Sequence, residues 1–231
     1  MPYRRVIHFD FVSKFVDYVL KSEAPATTVI VCSTKQTFLQ NLCASVQAQY
    51  SNEQPGEPGG EGPDDSEALQ AANEALLSDT IGAIAISQRI TMVFCPSVEH
   101  LRAKLGVFQM VQEQVTRSDE TDAHQSRPML AILDPLAIHN RDSELSAQGL
   151  LRSLALAVEV AAREHLDLIL CECPATGNDE LGSGWNPWDI DVPLLSPSMD
   201  VTRGERPEGA RRTMKAKQIA KRWFEFGGPE R

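Results

Sequence analysis

Met129-Leu-Ala-Ile-Leu-Asp134 is an unbroken apolar run closed by an acid, and Leu166-Asp-Leu-Ile-Leu-Cys171 nearly repeats it further along the chain. A strand with water on one face alternates polar and apolar residues, so runs this apolar belong to strands covered on both faces. Between them, Ser143 to Glu164 has the length, composition and periodicity of a helix. Strand, helix and strand in that order form a parallel pair joined by a crossover, which is right-handed in nearly all proteins.

Working back toward the N-terminus, the same unit recurs. Arg89 to Phe94 reads as a strand ending at Pro96, and Ser97 as the N-cap of a helix with Val98, Leu101, Leu105, Phe108 and Val115 inside. Thr27 to Cys32 is a β-branched run suited to a buried strand. Ser33 or Thr34 can cap the helix after it, whose Phe38, Leu39, Leu42, Cys43 and Val46 form one apolar stripe. Residues 10–20 place Phe11, Phe15, Tyr18 and Val19 on one helical face, with Asp10 as N-cap. Toward the C-terminus, Ile190 to Leu195 suits a fifth strand, while 211–226 fits either a helix or a bulged edge strand. The fold expected is α/β, a three-layer sandwich with a mainly parallel central sheet and helices on both faces.

Composition bounds the rest. Hydrophobic residues make up 42% and charged residues 23%, enough for one real core, so 1–231 is read as a single domain. The net charge of −10 is local: residues 51–80 hold eight acids and no Lys or Arg, and the rest of the chain carries only −2. Within that stretch, 51–66 is so rich in Gly, Pro and acid that disorder is expected, with a helical stretch near 67–78 after it. Residues 117–127 and 174–210 read as loop-rich. No N-terminal apolar run resembles a signal peptide and no stretch is long enough to span a bilayer, so a reducing compartment is expected. There the five cysteines should be thiols, with Cys32, Cys43 and Cys95 as small core residues.

Ligands of parallel α/β sheets bind at the carboxyl ends of the strands. The turn Cys32-Ser-Thr-Lys-Gln-Thr37 has Lys35 and Thr37 but no glycine, and none occurs anywhere between residues 1 and 55. A phosphate cradle needs glycines so that successive amides can wrap the anion. Lys35 and Thr37 are therefore a degenerate remnant or a plain helix start. Asp134 stands where nucleotide hydrolases hold Mg²⁺, although Asp-Pro is also an ordinary strand stop. Cys171-Glu-Cys173 gives weak metal spacing against the reading of buried thiols, and no metal or other cofactor is expected. The five histidines show no ligand spacing, and no nucleophile elbow or dinucleotide fingerprint is present, so an enzyme is not expected. Trp185 and Trp188 flank Pro187 and could anchor a partner or pack on the sheet. Arg211, Arg212, Lys215, Lys217, Lys221 and Arg222 give 211–226 a charge of +5 beside Trp223 and Phe224. That run could track a phosphate backbone and stack bases, or be a solvated face.

The degenerate turn at 32–37, the strand Ile90-Thr-Met-Val-Phe94 leading to His100-Leu-Arg, the Leu130-Ala-Ile-Leu-Asp134 strand, the Leu150 to Ala162 helix and Leu168-Ile-Leu-Cys171 together resemble the RecA-type recombinase paralogues. Short length and missing glycines make the chain most similar to the small non-catalytic subunits of Shu-type complexes. The resemblance spans residues 25–173. It implies a RecA-like fold, a RecA-like paralogue or zinc-binding SWIM-type partner in a hetero-oligomer, single-stranded DNA contact, and support of homologous recombination and DNA repair in the nucleus. Asp134 is the family site position that carries over; the bare Lys35 and Thr37 put nucleotide binding in doubt. The alternative is similarity to the RecA-like accessory subunits of Elongator, which serve tRNA modification, with the cytoplasm as the alternative location.

Overall fold

Five-residue runs of β-branched and aliphatic side chains leave little choice but a sheet buried on both faces. A computed structural model of the protein describes residues 3–53, 84, 86–110, 126–141, 145–173, 186–194 and 212–227. Its main sheet comprises β1 (Arg4–His8), β2 (Thr27–Val31), β3 (Ile90–Phe94), β4 (Met129–Leu133), β5 (Asp167–Glu172) and β8 (Glu225–Phe226). The spatial order is β3-β2-β4-β5-β1-β8, and every pairing is parallel. The α/β class and the parallel sheet flanked by helices are thus as expected.

Side chains alternate strictly between the two faces. Ile7, Val29, Val31, Ala131, Leu133, Ile169 and Cys171 pack with α1 (Val12–Lys21) and Phe38 of α2 (Lys35–Glu53). Val6, Ile30, Leu130, Ile132, Leu168 and Leu170 face α3 (Val98–Gly106), α5 (Ala147–Arg163) and α6 (Ala216–Ala220). Connection direction explains the segregation. The chain moves one way along the sheet from β1 to β2 and β3, then reverses toward β4, β5 and β8, and crossovers of one hand put the helices of oppositely directed connections on opposite faces. Each buried Val, Leu or Ile contributes about 1.5–3 kcal/mol relative to exposure.

Local chemistry fixes the helix ends. Ser97 Oγ accepts from the His100 amide and Ser146 Oγ from the Gly149 amide. The latter shortens the helix expected from Ser143 to Ala147–Arg163. At its far end Leu166 N donates to Ala161 O at 2.8 Å, with His165 at φ 56° in the left-handed position usually given to glycine.

Several expectations are corrected. Asp10 does not cap α1: the N-cap is Phe11, without a side-chain bond, and the Asp10 carboxylate lies 3.7 Å from His8 Nε2. The stripe on α2 is split, because Phe38 is buried while Leu39, Cys43 and Val46 face solvent, so Cys43 is not a core residue. Residues 51–53, expected to be disordered, continue α2. Ile190 to Leu195 does not extend the main sheet; β6 (Asp191–Pro193) pairs antiparallel with β7 (Thr213–Lys215). This small ribbon lies partly within the stretch read as loop-rich. The tail is neither one helix nor one strand but β7, α6 and β8 in succession. Residues 54–66, 67–78, 117–125, Val115, Trp185 and Arg211 lie outside the described residues.

Candidate functional site at the carboxyl edge of the sheet

Neighbouring strands whose chains leave toward opposite faces open a crevice at their carboxyl ends, the usual ligand position in such sheets. Here β2 and β4 form one such pair, and β5 and β1 another. The residues bounding them are Cys32, Asp134, Glu172, Cys173 and His8.

Asp134 follows β4 directly, with φ 59°, a left-handed conformation that Asp tolerates better than most residues. Its amide donates to Cys171 O at 2.8 Å, and its Oδ1 accepts from Cys173 N at 2.9 Å. The helix it introduces, α4 (Pro135–Arg141), is capped from the neighbouring strand. Glu172 of β5, almost wholly buried, accepts from the Leu136 amide and also from Ala137. Arg141, at the other end of α4, donates from Nη2 to Cys32 O at 2.8 Å. The backbone ladders run on past the strands, with Cys32 N donating to Leu133 O and Cys95 N to Val31 O.

Two carboxyls here share one small volume of low dielectric. Burial pushes Asp134 up to about 6, against the pull of the Cys173 amide and the Arg141 guanidinium. Burial also holds Glu172 well above the carboxylate range, helped by the charge of Asp134 and opposed by the α4 amides and Arg141. The pair titrates as a unit. Burial, with the charges of Glu172 and Asp134, raises the Cys32 thiol far above its ordinary value, so it is held protonated. On the buried side of α4, His139 Nε2 lies 3.1 Å from Ser153 Oγ, and that oxygen accepts from Arg102 Nε.

The structure places the sequence candidates unequally. Asp134 sits in this cluster with Cys171, Cys173 and Cys32. Lys35 and Thr37 do not join it: Thr34 Oγ1 caps α2 by accepting from Thr37 N at 3.1 Å, and Lys35 is exposed. Lys35 lines a shallow trough on the solvent face of α2 with Gln36, Leu39, Gln40 and Cys43. In the basic tail, Lys215 pairs with Asp191 at 2.7 Å and Lys217 lies 3.9 Å from Asp189. Arg212, Lys221 and Arg222 are exposed, the last against the ring of Trp223. Trp188 is fully buried, packed edge-on to Phe226, so it is core. Among the described residues no three His, Cys, Asp or Glu side chains are arranged to hold a metal ion, and no helix is long and apolar enough to cross a membrane. Sequence reasoning missed Glu172 and Arg141. Glu172 was legible as an acid ending an apolar run, like Asp134; nothing local marks Arg141.

A family model described as SPAC22G7.03-like matches residues 6–180, from inside β1 past the end of β5. The chain belongs to the SPAC22G7.03-like family. The match spans the whole carboxyl-edge cluster, including Asp134, Arg141, Glu172 and Cys173. A comparison with curated proteins finds no match.

Proposed function

We propose that the chain is a non-catalytic, RecA-like subunit of a Shu-type or recombinase-paralogue complex that supports homologous recombination and DNA repair in the nucleus. The observation that carries the non-catalytic reading is the closure of the carboxyl edge. Asp134 and Glu172, the acids best placed to serve a bound nucleotide, are committed to the amides of Cys173, Leu136 and Ala137. The turns after β1 and β2 contain no glycine with which to wrap a phosphate. A protein so arranged acts through the surfaces it presents, here to a RecA-like paralogue or SWIM-type partner and to single-stranded DNA.

Titration calorimetry with Mg²⁺-ATP tests the first half: no saturable binding is expected. Saturable hydrolysis abolished by Lys35→Ala would overturn it. Affinity purification from the native cell tests the second half. Recombination proteins should co-purify; Elongator subunits in their place would transfer the scaffold to tRNA modification.

A further inference from the structure

Four thiols lie at the ends of the main-sheet strands, at Cys32, Cys95, Cys171 and Cys173, and their surroundings separate them sharply. Cys32 and Cys95 are buried, beyond reach of a solute. Cys43 on α2 is exposed. Cys171 and Cys173 differ from the rest: their Sγ atoms lie 3.7 Å apart, Cys171 is sealed in the core and Cys173 is partly exposed. Theirs is a thiol contact in which one partner can be reached from solvent. Disulfide sulfurs sit about 2.0 Å apart, so the pair has less than about 2 Å to close. Cys173 is one residue past the end of β5, and its amide is held by the Asp134 side chain rather than by a neighbouring strand, so the closing movement gives up one hydrogen bond and no ladder.

We propose that Cys171 and Cys173 are a reversible oxidation site, closing to an intramolecular disulfide when the chain meets a small disulfide of the oxidised-glutathione class. The Cys173 thiolate attacks one sulfur of the reagent, forming a mixed disulfide and expelling one small thiolate. Cys171 then loses its proton and attacks the Cys173 sulfur, forming the protein disulfide and expelling the second small thiolate. Two electrons and two protons pass from the cysteine pair to the reagent, which leaves as two thiols. Burial keeps Cys171 from the reagent and holds its thiol above its ordinary value, so the first attack falls to Cys173; the 3.7 Å contact is what lets Cys171 make the second. The proposal does not depend on the scaffold reading.

The test treats the folded, full-length chain with oxidised glutathione, alkylates the remaining thiols and maps peptides by mass. The peptide holding both residues should take no alkyl group and be lighter by two hydrogens, while Cys43 carries glutathione and proves the reagent active. Dithiothreitol should restore both alkylation sites. In Cys171→Ser the reaction should stop at a glutathione adduct on Cys173. Full alkylation of both residues where Cys43 is modified, or a wild-type adduct on Cys173 that never closes, would overturn the proposal. The wild-type map decides this alone should the variant misfold.

Discussion

Asp134 and Glu172 exchange caps across the β4–β5 pair: the acid that follows β4 binds the amide leaving β5, and the acid that ends β5 binds the amides opening the helix after β4. Each carboxyl thus satisfies backbone donors on the other strand's continuation. The two connections are locked together where a ligand crevice would otherwise form.

Asp134 should make stability depend on pH with an unusual sign. Its folded value of about 6 lies above its ordinary 3.8, so the folded chain holds the proton more tightly. The contribution is fully present below about pH 4 and is lost as pH rises through 6, a change on the order of 3 kcal/mol. Asn accepts the same amide and tolerates the left-handed backbone. Urea unfolding should therefore show wild type losing stability relative to Asp134→Asn as pH rises through this window; parallel curves would refute it.

Glu172→Ala removes the acceptor of the Leu136 and Ala137 amides at the start of α4, and leaving the donor of the buried Leu136 unsatisfied costs about 1–3 kcal/mol. Glu172→Gln keeps an acceptor and should cost less. Glu172 is still protonated where Asp134 titrates, so Gln should leave the Asp134 midpoint, followed by carboxyl carbon NMR, close to its wild-type value of about 6; a large fall would refute this order of ionisation.

Trp188→Ala should cost about 3–5 kcal/mol by thermal or chemical unfolding, as expected of a buried indole. Trp188→Phe should cost far less. The indole N–H is buried without a hydrogen-bond partner among the described residues, so Phe removes an unsatisfied donor along with the lost volume.

The basic tail should act unevenly on single-stranded DNA. Lys215 and Lys217 already face Asp191 and Asp189, whereas Lys221 and Arg222 are exposed beside Trp223. Charge reversal at Lys221 and Arg222 should weaken binding more than reversal at Lys215 and Lys217, and should flatten the salt dependence by about 0.7 per lost phosphate contact. Equal effects in fluorescence anisotropy would show that the ion pairs do not hold in solution.

β3 was legible from its β-branched and aromatic composition, although Thr91 and Met92 are exposed at the sheet edge. Apolar runs made β2, β4 and β5 legible, because a strand covered on both faces writes its burial directly into consecutive residues. β1 escaped for the converse reason: Arg4, Arg5 and His8 surround only Val6 and Ile7, and its strand character comes from lying between β5 and β8. The stripe on α2 misled because periodicity shows that residues share a face, not that anything covers it. Asp134 could be singled out from its place after an apolar run. Its partners could not, since Arg141 reaches Cys32 and Glu172 reaches Leu136 only once the sheet has formed.

Because β1 takes its hydrogen-bonding neighbours from β5 and β8, it must wait for residues 168–172 and then 225–226 before it is enclosed on both sides. A growing polypeptide would carry Val6 and Ile7 unsheltered until then, the kind of exposure that recruits chaperones. A product stopped short of Thr213 would keep β2, β3, β4 and β5 yet leave one flank of β1 bare, and should aggregate where the finished chain does not.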